Sequence, residues 1–289
     1  LVAVSVGLRV VDGHMTLERA LIVLLLAPEA YLPVRRLGTM FHDSTAGAEA
    51  VGDALNLLDH DRHDGWTTSP DVARVAVVID SLVVQFDDRA LPALDLASET
   101  IRPGEFVAVT GASGSGKSTL LDVLLGFVAP TRGRVTVGVV DLASVDPEQW
   151  RRQIAWVPQF PGLIEGTVAD NVRMANTDAT LVEVSAALRD AGATDLEPRR
   201  WLSESADDIS AGDRRRIAIA RALLRVRTEG AALMLLDEPT AGLDTVRESA
   251  VLNALRALPV TVIVVAHRPE TIAAADRVLR LTASTAVSA

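Results

Sequence analysis

Nine consecutive residues, Gly111-Ala112-Ser113-Gly114-Ser115-Gly116-Lys117-Ser118-Thr119, have the composition of a loop that holds phosphate. They follow the apolar run Phe106 to Thr110 and open a second apolar run, Leu120 to Phe127, so the loop lies between a strand and a helix as phosphate binding requires. Gly111, Gly114 and Gly116 let backbone N–H groups curl around an anion, and the start of the following helix adds its positive end. Lys117 would reach the β and γ phosphates, and the Ser118 hydroxyl would ligate magnesium. Lys117 is also the only lysine of the chain; the other 27 of its 28 basic residues are arginine. A second apolar stretch, Ala231 to Leu236, ends in Asp237-Glu238. A carboxylate at the tip of a buried strand is placed to hold the magnesium shell, and Glu238 beside it to polarise an attacking water as general base.

The elements that must position these groups are short β-branched runs alternating with helical patterns: Val75 to Phe86, Phe106 to Thr110, Ile154 to Val157, Leu233 to Leu236 and Thr261 to Ala266. Such alternation predicts an α/β domain with a largely parallel central sheet. No strong strand pattern appears between about residues 160 and 227, which predicts a helical insertion. Upstream, Leu1 to Val11 reads as the end of a longer helix, and the chain reads as the C-terminal part of a larger protein. After Asp12-Gly13-His14, the apolar segment Met15 to Leu37 has a length of about 20 residues, enough to span a bilayer. Glu18, Arg19 and Glu29 interrupt it, Pro28 and Pro33 would kink it, and a buried helix of a soluble domain is the competing reading. Arg35 and Arg36 at its far end place the following residues in the cytoplasm if it spans. Residues 38–59 read as a helical extension, 60–74 as a polar linker, 75–282 as the α/β domain and 283–289 as a tail. His60 and His63 stand among acidic residues in the linker, and we assign no metal to them.

The 289 residues are 49% hydrophobic and 23% charged, with a formal charge of −10. That is too apolar for a disordered chain, and the acidic balance disfavours nucleic acid as a partner. With no cysteine, disulfide frameworks, thiolate metal sites and catalytic thiols are excluded.

Taken together, the motifs of residues 75–281 resemble the nucleotide-binding domain of an ABC transporter, an α/β P-loop NTPase with a helical subdomain at about 160–227. Trp156-Val157-Pro158-Gln159 matches the family's glutamine loop, Leu235 to Thr240 its Walker B segment, Ala241-Gly242-Leu243-Asp244 its D-loop and His267 its switch histidine. The resemblance implies ATP and Mg2+ as ligands. Lys117, Glu238 and His267 would act in catalysis; Gly111, Ser113, Gly114, Ser115, Gly116, Lys117, Ser118, Thr119, Gln159 and Asp237 would bind nucleotide. Ser118, Gln159 and Asp237 would hold the metal. The aromatic that stacks on adenine in this family would fall on Phe86 by its distance from Pro103-Gly104-Glu105 and the phosphate loop; the only tyrosine, Tyr31, lies in the apolar segment. The signature departs from the common LSGGQ: Ile209 is followed by Ser210, Ala211, Gly212 and Asp213, which would contact ATP bound to the opposite subunit. Ala211 adds a methyl and limits φ where glycine is usual, so the site completed by this signature would be impaired. The triplet Arg214-Arg215-Arg216 reads as a salt-bridged, solvated face.

Apolar helices ahead of such a domain resemble an exporter-type half-transporter, so the expected architecture is an ATPase domain preceded by the C-terminal helices of an all-α membrane domain, in the cell membrane with its ATPase side cytoplasmic. The stretch Leu21 to Arg36 and the signature resemble CydD-type subunits of the thiol reductant exporters associated with cytochrome bd assembly. That resemblance implies a CydC-like partner in a heterodimer, contact with membrane lipid, and a small-molecule cargo, glutathione or cysteine, with haem as the rival. Two other readings stand beside it: a regulatory subunit that clamps ATP while its partner hydrolyses, and a soluble ABC ATPase.

Overall fold

The computed structural model describes residues 2–26, 66–87, 89, 91–203 and 209–282. The chain divides into two compact units, Leu1–Asp64 and Gly65–Ala289. In the first, α1 (Val2–Val11) turns at Gly13, whose φ of 71° suits glycine, into a second helix, α2, over 17–26. Val6 and Ala20 are buried, whereas Leu17, Leu21, Ile22, Leu25 and Leu26 are exposed. Among the described residues no helix is long and apolar enough to cross a membrane. The expected membrane segment continues over 27–37, outside the described residues, as do the helical extension 38–59, Tyr31, His60, His63 and the tail 283–289.

Among its described residues the second unit has twelve strands. They run β1 (Val77–Val84), β2 (Leu94–Leu96), β3 (Glu99–Ile101), β4 (Phe106–Gly111), then helix α3 (Lys117–Leu124), β5 (Arg132–Val137) and β6 (Val140–Asp141). After α4 (Pro147–Arg152) and β7 (Ile154–Val157) come the short β8 (Gly166–Thr167), α5 (Val168–Arg173), α6 (Leu181–Asp190) and β9 (Trp201–Leu202). The chain ends in α7 (Ala211–Glu229), β10 (Leu233–Asp237), α8 (Thr245–Arg256), β11 (Thr261–Val265), α9 (Pro269–Ala274) and β12 (Arg277–Leu281).

The central sheet has the order β12-β4-β11-β10-β7, parallel throughout. Its strands are continuous apolar runs because both faces are covered: every residue of β10 and β11 is buried. The pleat sends alternate side chains to two cores. Phe106, Ala108, Met234, Leu236, Val262 and Val264 face the helices α5 to α8. Val107, Val109, Leu233, Leu235, Ile263 and Val265 face α3, whose Leu120, Leu121 and Leu124 fill the space beneath the antiparallel sheet β2-β1-β5-β6, with β3 on β1. The phosphate-loop helix is thereby wedged between two sheets. Trp150, 1% exposed, closes the lower end of this core and donates from Nε1 to the Leu124 carbonyl at 2.7 Å.

The helical insertion is present, with α5 and α6 each opened by a capping box, Thr167 with Asp170 and Thr180 with Glu183. Its last helix continues unbroken into the core as the 19-residue α7. The second half of the expected polar linker differs from expectation. Val72 is buried, its N–H donates to Gln153 Oε1 at 3.0 Å, and Gln153 Nε2 donates to Ser69 Oγ and the Pro70 carbonyl. Proline and aspartate in this stretch read as a solvated turn, and the docking depends on partners far along the chain, Gln153 together with Gln149 and the Ser144 carbonyl, which local composition does not reveal.

Candidate functional site

At the carboxyl end of the parallel sheet a cleft of about 240 Å³ is lined by Ser113, Gly114, Gly116, Lys117, Ser118, Thr119, Gln159, Asp237, Glu238 and His267, together with Arg89 and Ala93. Each wall is the end of a strand. β4 delivers the glycine loop, β7 delivers Gln159, β10 delivers Asp237 and Glu238, and β11 delivers His267.

Two glycines of the loop are required by space as well as backbone. A Cβ on Gly111 would lie 2.5 Å from the Leu281 carbonyl oxygen, and one on Gly116, at φ 89°, would lie 2.4 Å from that of Ala93. Gly116 is also the residue from which α3 starts, so its left-handed backbone turns the loop's N–H groups and the helix start toward the cleft. Lys117 is 9% exposed, and its Nζ donates to the carbonyls of Gly111 and Ala112 at 2.9 and 2.8 Å, which holds the ammonium across the mouth of the loop. Ser115 is buried beneath the loop, and its hydroxyl has no partner.

Ser118 Oγ donates to Asp237 Oδ2 at 3.2 Å. Asp237 is 7% exposed. Burial pushes its carboxyl above the usual aspartate range, the charges of Glu238 and Asp122 push the same way, and the bond from Ser118 and the charge of Lys117 oppose them. Burial also raises Asp122. This local excess of negative charge, with oxygen donors on Ser118 and Asp237, fits a hard divalent cation that takes one or two protein ligands and completes its shell with phosphate and water. Among the described residues no cluster of three or more His, Asp or Glu forms a metal cage.

Glu238 has a φ of 49°, unusual for a residue with a side chain, and is fixed there by its N–H donating to Val265 at 3.1 Å and its carbonyl accepting from Ala241. Its Oε1 lies 3.1 Å from His267 Nε2. The carboxylate and the imidazole are thus in direct contact, and both line the cleft beside the phosphate loop, where the carboxylate is placed to take a proton from a water.

The remaining sequence-predicted residues stand apart. Phe86, 36% exposed, does not line the cleft; the Arg89 guanidinium lies 5.8 Å from its ring centroid and does. Ser210 caps α7, its Oγ accepting from the Asp213 N–H at 3.1 Å, and Asp244 caps α8. Neither cap residue lines this cleft. Ala211 is the first residue of α7 and has no positive φ, nor has Gly212. The expected backbone restriction at Ala211 is therefore absent, because the N-cap Ser210, not the residue after it, carries the non-helical conformation. The arginine triplet also departs from expectation. Arg216, 3% exposed, pairs with Asp195 and Asp213, and Arg215 turns inward to backbone carbonyls. Helical spacing placed the triplet on a surface, but α7 is covered on this side by the segment 192–195 and by the turn after Glu238. Sequence reasoning missed Arg89, Arg215 and Arg268, the last donating to the Thr240 and Leu243 carbonyls and pairing with buried Glu248 at 2.9 Å.

Comparison with known proteins agrees with this geometry. Residues 94–241 match the family model described as ABC transporter. The chain is similar to the glutathione/L-cysteine transport system ATP-binding/permease protein CydD of Haemophilus influenzae, 34% identical over 276 residues that cover 92% of this chain and 46% of that protein. It is 39% identical over 215 residues to the mycobactin import ATP-binding/permease protein IrtB of Mycolicibacterium thermoresistibile, covering 72% of this chain and 36% of that one. The structure of a bacterial Atm1-family ABC exporter with ATP bound superimposes with a TM-score of 0.70 at 30% identity, over 93% of this chain and 48% of the exporter. The chain spans about half the length, or less, of each of these relatives.

Proposed function

The chain belongs to the ABC transporter family and carries its ATP-hydrolysing domain, and from that premise we propose that it is the ATPase portion of one half of a membrane exporter, coupling hydrolysis to movement of a small molecule. The observation that carries the proposal is the convergence of Lys117, Ser118, Asp237, Glu238 and His267 on one cleft. In this reading the loop N–H groups and Lys117 bind the β and γ phosphates of ATP. Ser118, Asp237 and Gln159 would hold Mg2+, which when bound neutralises charge between those phosphates. Glu238 takes the proton of the attacking water while His267, 3.1 Å away, orients Glu238 and the γ-phosphate. Arg89 borders the place of the base, with the Phe86 ring beside its guanidinium. Ser210 to Asp213 and Asp244 face a second subunit, whose ATP the signature helix start would contact.

The CydD-like relatives support a thiol, glutathione or cysteine, as cargo and a CydC-like chain as partner; the higher identity to a mycobactin importer supports the second reading, another cargo. The exposed leucines of α2 support a membrane environment for the first unit. The test is ATP turnover of the full-length transporter in proteoliposomes. Glu238→Gln is expected to bind ATP and lose turnover by about 100-fold or more, the range of a general base, and Lys117→Ala to lose binding. Unchanged turnover in Glu238→Gln removes Glu238 from the role. Stimulation by glutathione or cysteine, absent with haem or a siderophore, supports the thiol reading; stimulation by either of the latter replaces it.

A further inference from the structure

The arginine at position 215 belongs to no part of the cleft, yet it connects two of its walls. One guanidinium nitrogen, Nη2, donates to the backbone carbonyl of Gln159 at 3.1 Å, and the other, Nη1, donates to that of Ala241. Gln159 lines the cleft at the end of β7. Ala241 closes the turn after Glu238, its own N–H donating to the Glu238 carbonyl at 3.2 Å. Arg215 therefore grips, through two fixed prongs, the segment that carries one cleft residue and the turn that holds Glu238 in its unusual backbone conformation. The stem comes from α7, the helix that starts at Ser210, so the same side chain ties the start of that helix to both segments.

We propose that Arg215 is a positioning residue for hydrolysis, which holds Glu238 and Gln159 in mutual register, and that its planar fork rather than its charge is what the position requires. The inference rests on the reading of Glu238 as general base given above. A guanidinium presents two donors in a fixed plane and reaches both carbonyls at once; a lysine ammonium at the same place reaches one and leaves the other unpaired. Backbone carbonyls cannot be replaced by side-chain variation at Gln159 or Ala241, so the clamp depends on position 215 alone. On the far side, Arg268 holds the neighbouring Thr240 and Leu243 carbonyls. The turn 238–243 is thus fixed from two directions, and loss of Arg215 leaves it free to swing about the Arg268 side.

The test is steady-state hydrolysis by the full-length transporter in detergent, comparing Arg215→Ala and Arg215→Lys with Arg225→Ala. Arg225 lies on the same helix and also donates to backbone carbonyls, those of Arg151 and Arg152, away from Glu238. Displacing a catalytic group by about 1 Å costs up to about 100-fold, so Arg215→Ala is expected to lower kcat about tenfold or more while the ATP KM stays within about twofold, a loss confined to the transition state. Arg215→Lys is expected to share the loss, and Arg225→Ala to keep kcat within about twofold. Should Arg215→Ala fail to fold, Arg215→Lys is read by the same criterion. A kcat near wild type in Arg215→Lys, or equal losses in Arg215→Ala and Arg225→Ala, overturns the inference. Hydrolysis that survives Glu238→Gln overturns the underlying reading instead, and hydrolysis that is lost in Glu238→Gln but insensitive to Arg215 overturns this inference alone.

Discussion

Replacing Asp237 with asparagine separates what the site needs from what the fold needs. The side chain ends β10 with 7% exposure. Burial first, then the charges of Glu238 and Asp122, raise its pKa, so the folded protein carries a carboxylate less comfortable than in the unfolded chain, whose value is about 3.9. A raised folded-state pKa means that the protonated form favours folding below the unfolded value, and that this advantage is lost as pH climbs through the folded one. Asparagine keeps an oxygen acceptor for the Ser118 hydroxyl, which lies 3.2 Å from Oδ2, and removes the charge. At pH 7.5, nucleotide-free Asp237→Asn is therefore expected to be more stable than wild type by about 1 kcal/mol, the usual gain when a functional charge is relieved. For a unit the size of Gly65–Ala289 that is a Tm rise of about 2–4 °C. The difference shrinks as pH is lowered through the raised folded-state value of wild-type Asp237, where its carboxyl takes up a proton. Differential scanning fluorimetry across that range measures both numbers, and the same plates with MgATP complete the test: the ligand-induced rise seen in wild type should largely vanish in the variant. A variant less stable than wild type at pH 7.5, or an offset independent of pH, would refute the account of Asp237 as a strained ligand and make it a net stabilising partner of Ser118.

Two further outcomes are expected. Gly116→Ala places a Cβ 2.4 Å from the Ala93 carbonyl oxygen in a left-handed backbone that costs about 1–2 kcal/mol before any clash, so the loop must shift and ATP affinity should fall about tenfold or more, read by fluorescent-nucleotide titration. Trp150→Phe removes the donor to the Leu124 carbonyl and leaves that buried acceptor unpaired, an expected loss of about 1–3 kcal/mol in chemical denaturation with little change in ATP affinity, since Trp150 lies at the opposite end of α3 from Lys117.

Much of the site was legible because its chemistry is local in sequence. The glycines, Lys117 and Ser118 are adjacent, the apolar run before them is β4, and the run after them is α3. Asp237-Glu238 was legible for the same reason: the apolar run Leu233 to Leu236 leads straight into Asp237, the last residue of β10. What the residues could not reveal is pairing at long range. That β7 and β11 flank β10, bringing Gln159 and His267 to Asp237, is a matter of strand order, and only the resemblance to a family pointed to those two positions. Phe86 is a different case. Its distance from the loop was judged along the chain, whereas the cleft is reached by the guanidinium three residues further on.

The arginines make the limit of sequence reading physical. A charge on a helix predicts solvent when the alternative is a desolvated, unpaired cation, and that rule assigned residues 214–216 to the surface. It fails here because a guanidinium can be buried against carbonyls and carboxylates without losing its hydrogen bonds: Arg216 has Asp195, Asp213 and the Gly192 carbonyl. A chain that uses arginine for every cation but one has many such forks available. The lysine it kept is the one cation whose partners, by the reading above, are phosphate oxygens approached end-on along a flexible stem, where a compact charge serves and a planar fork would not fit the loop.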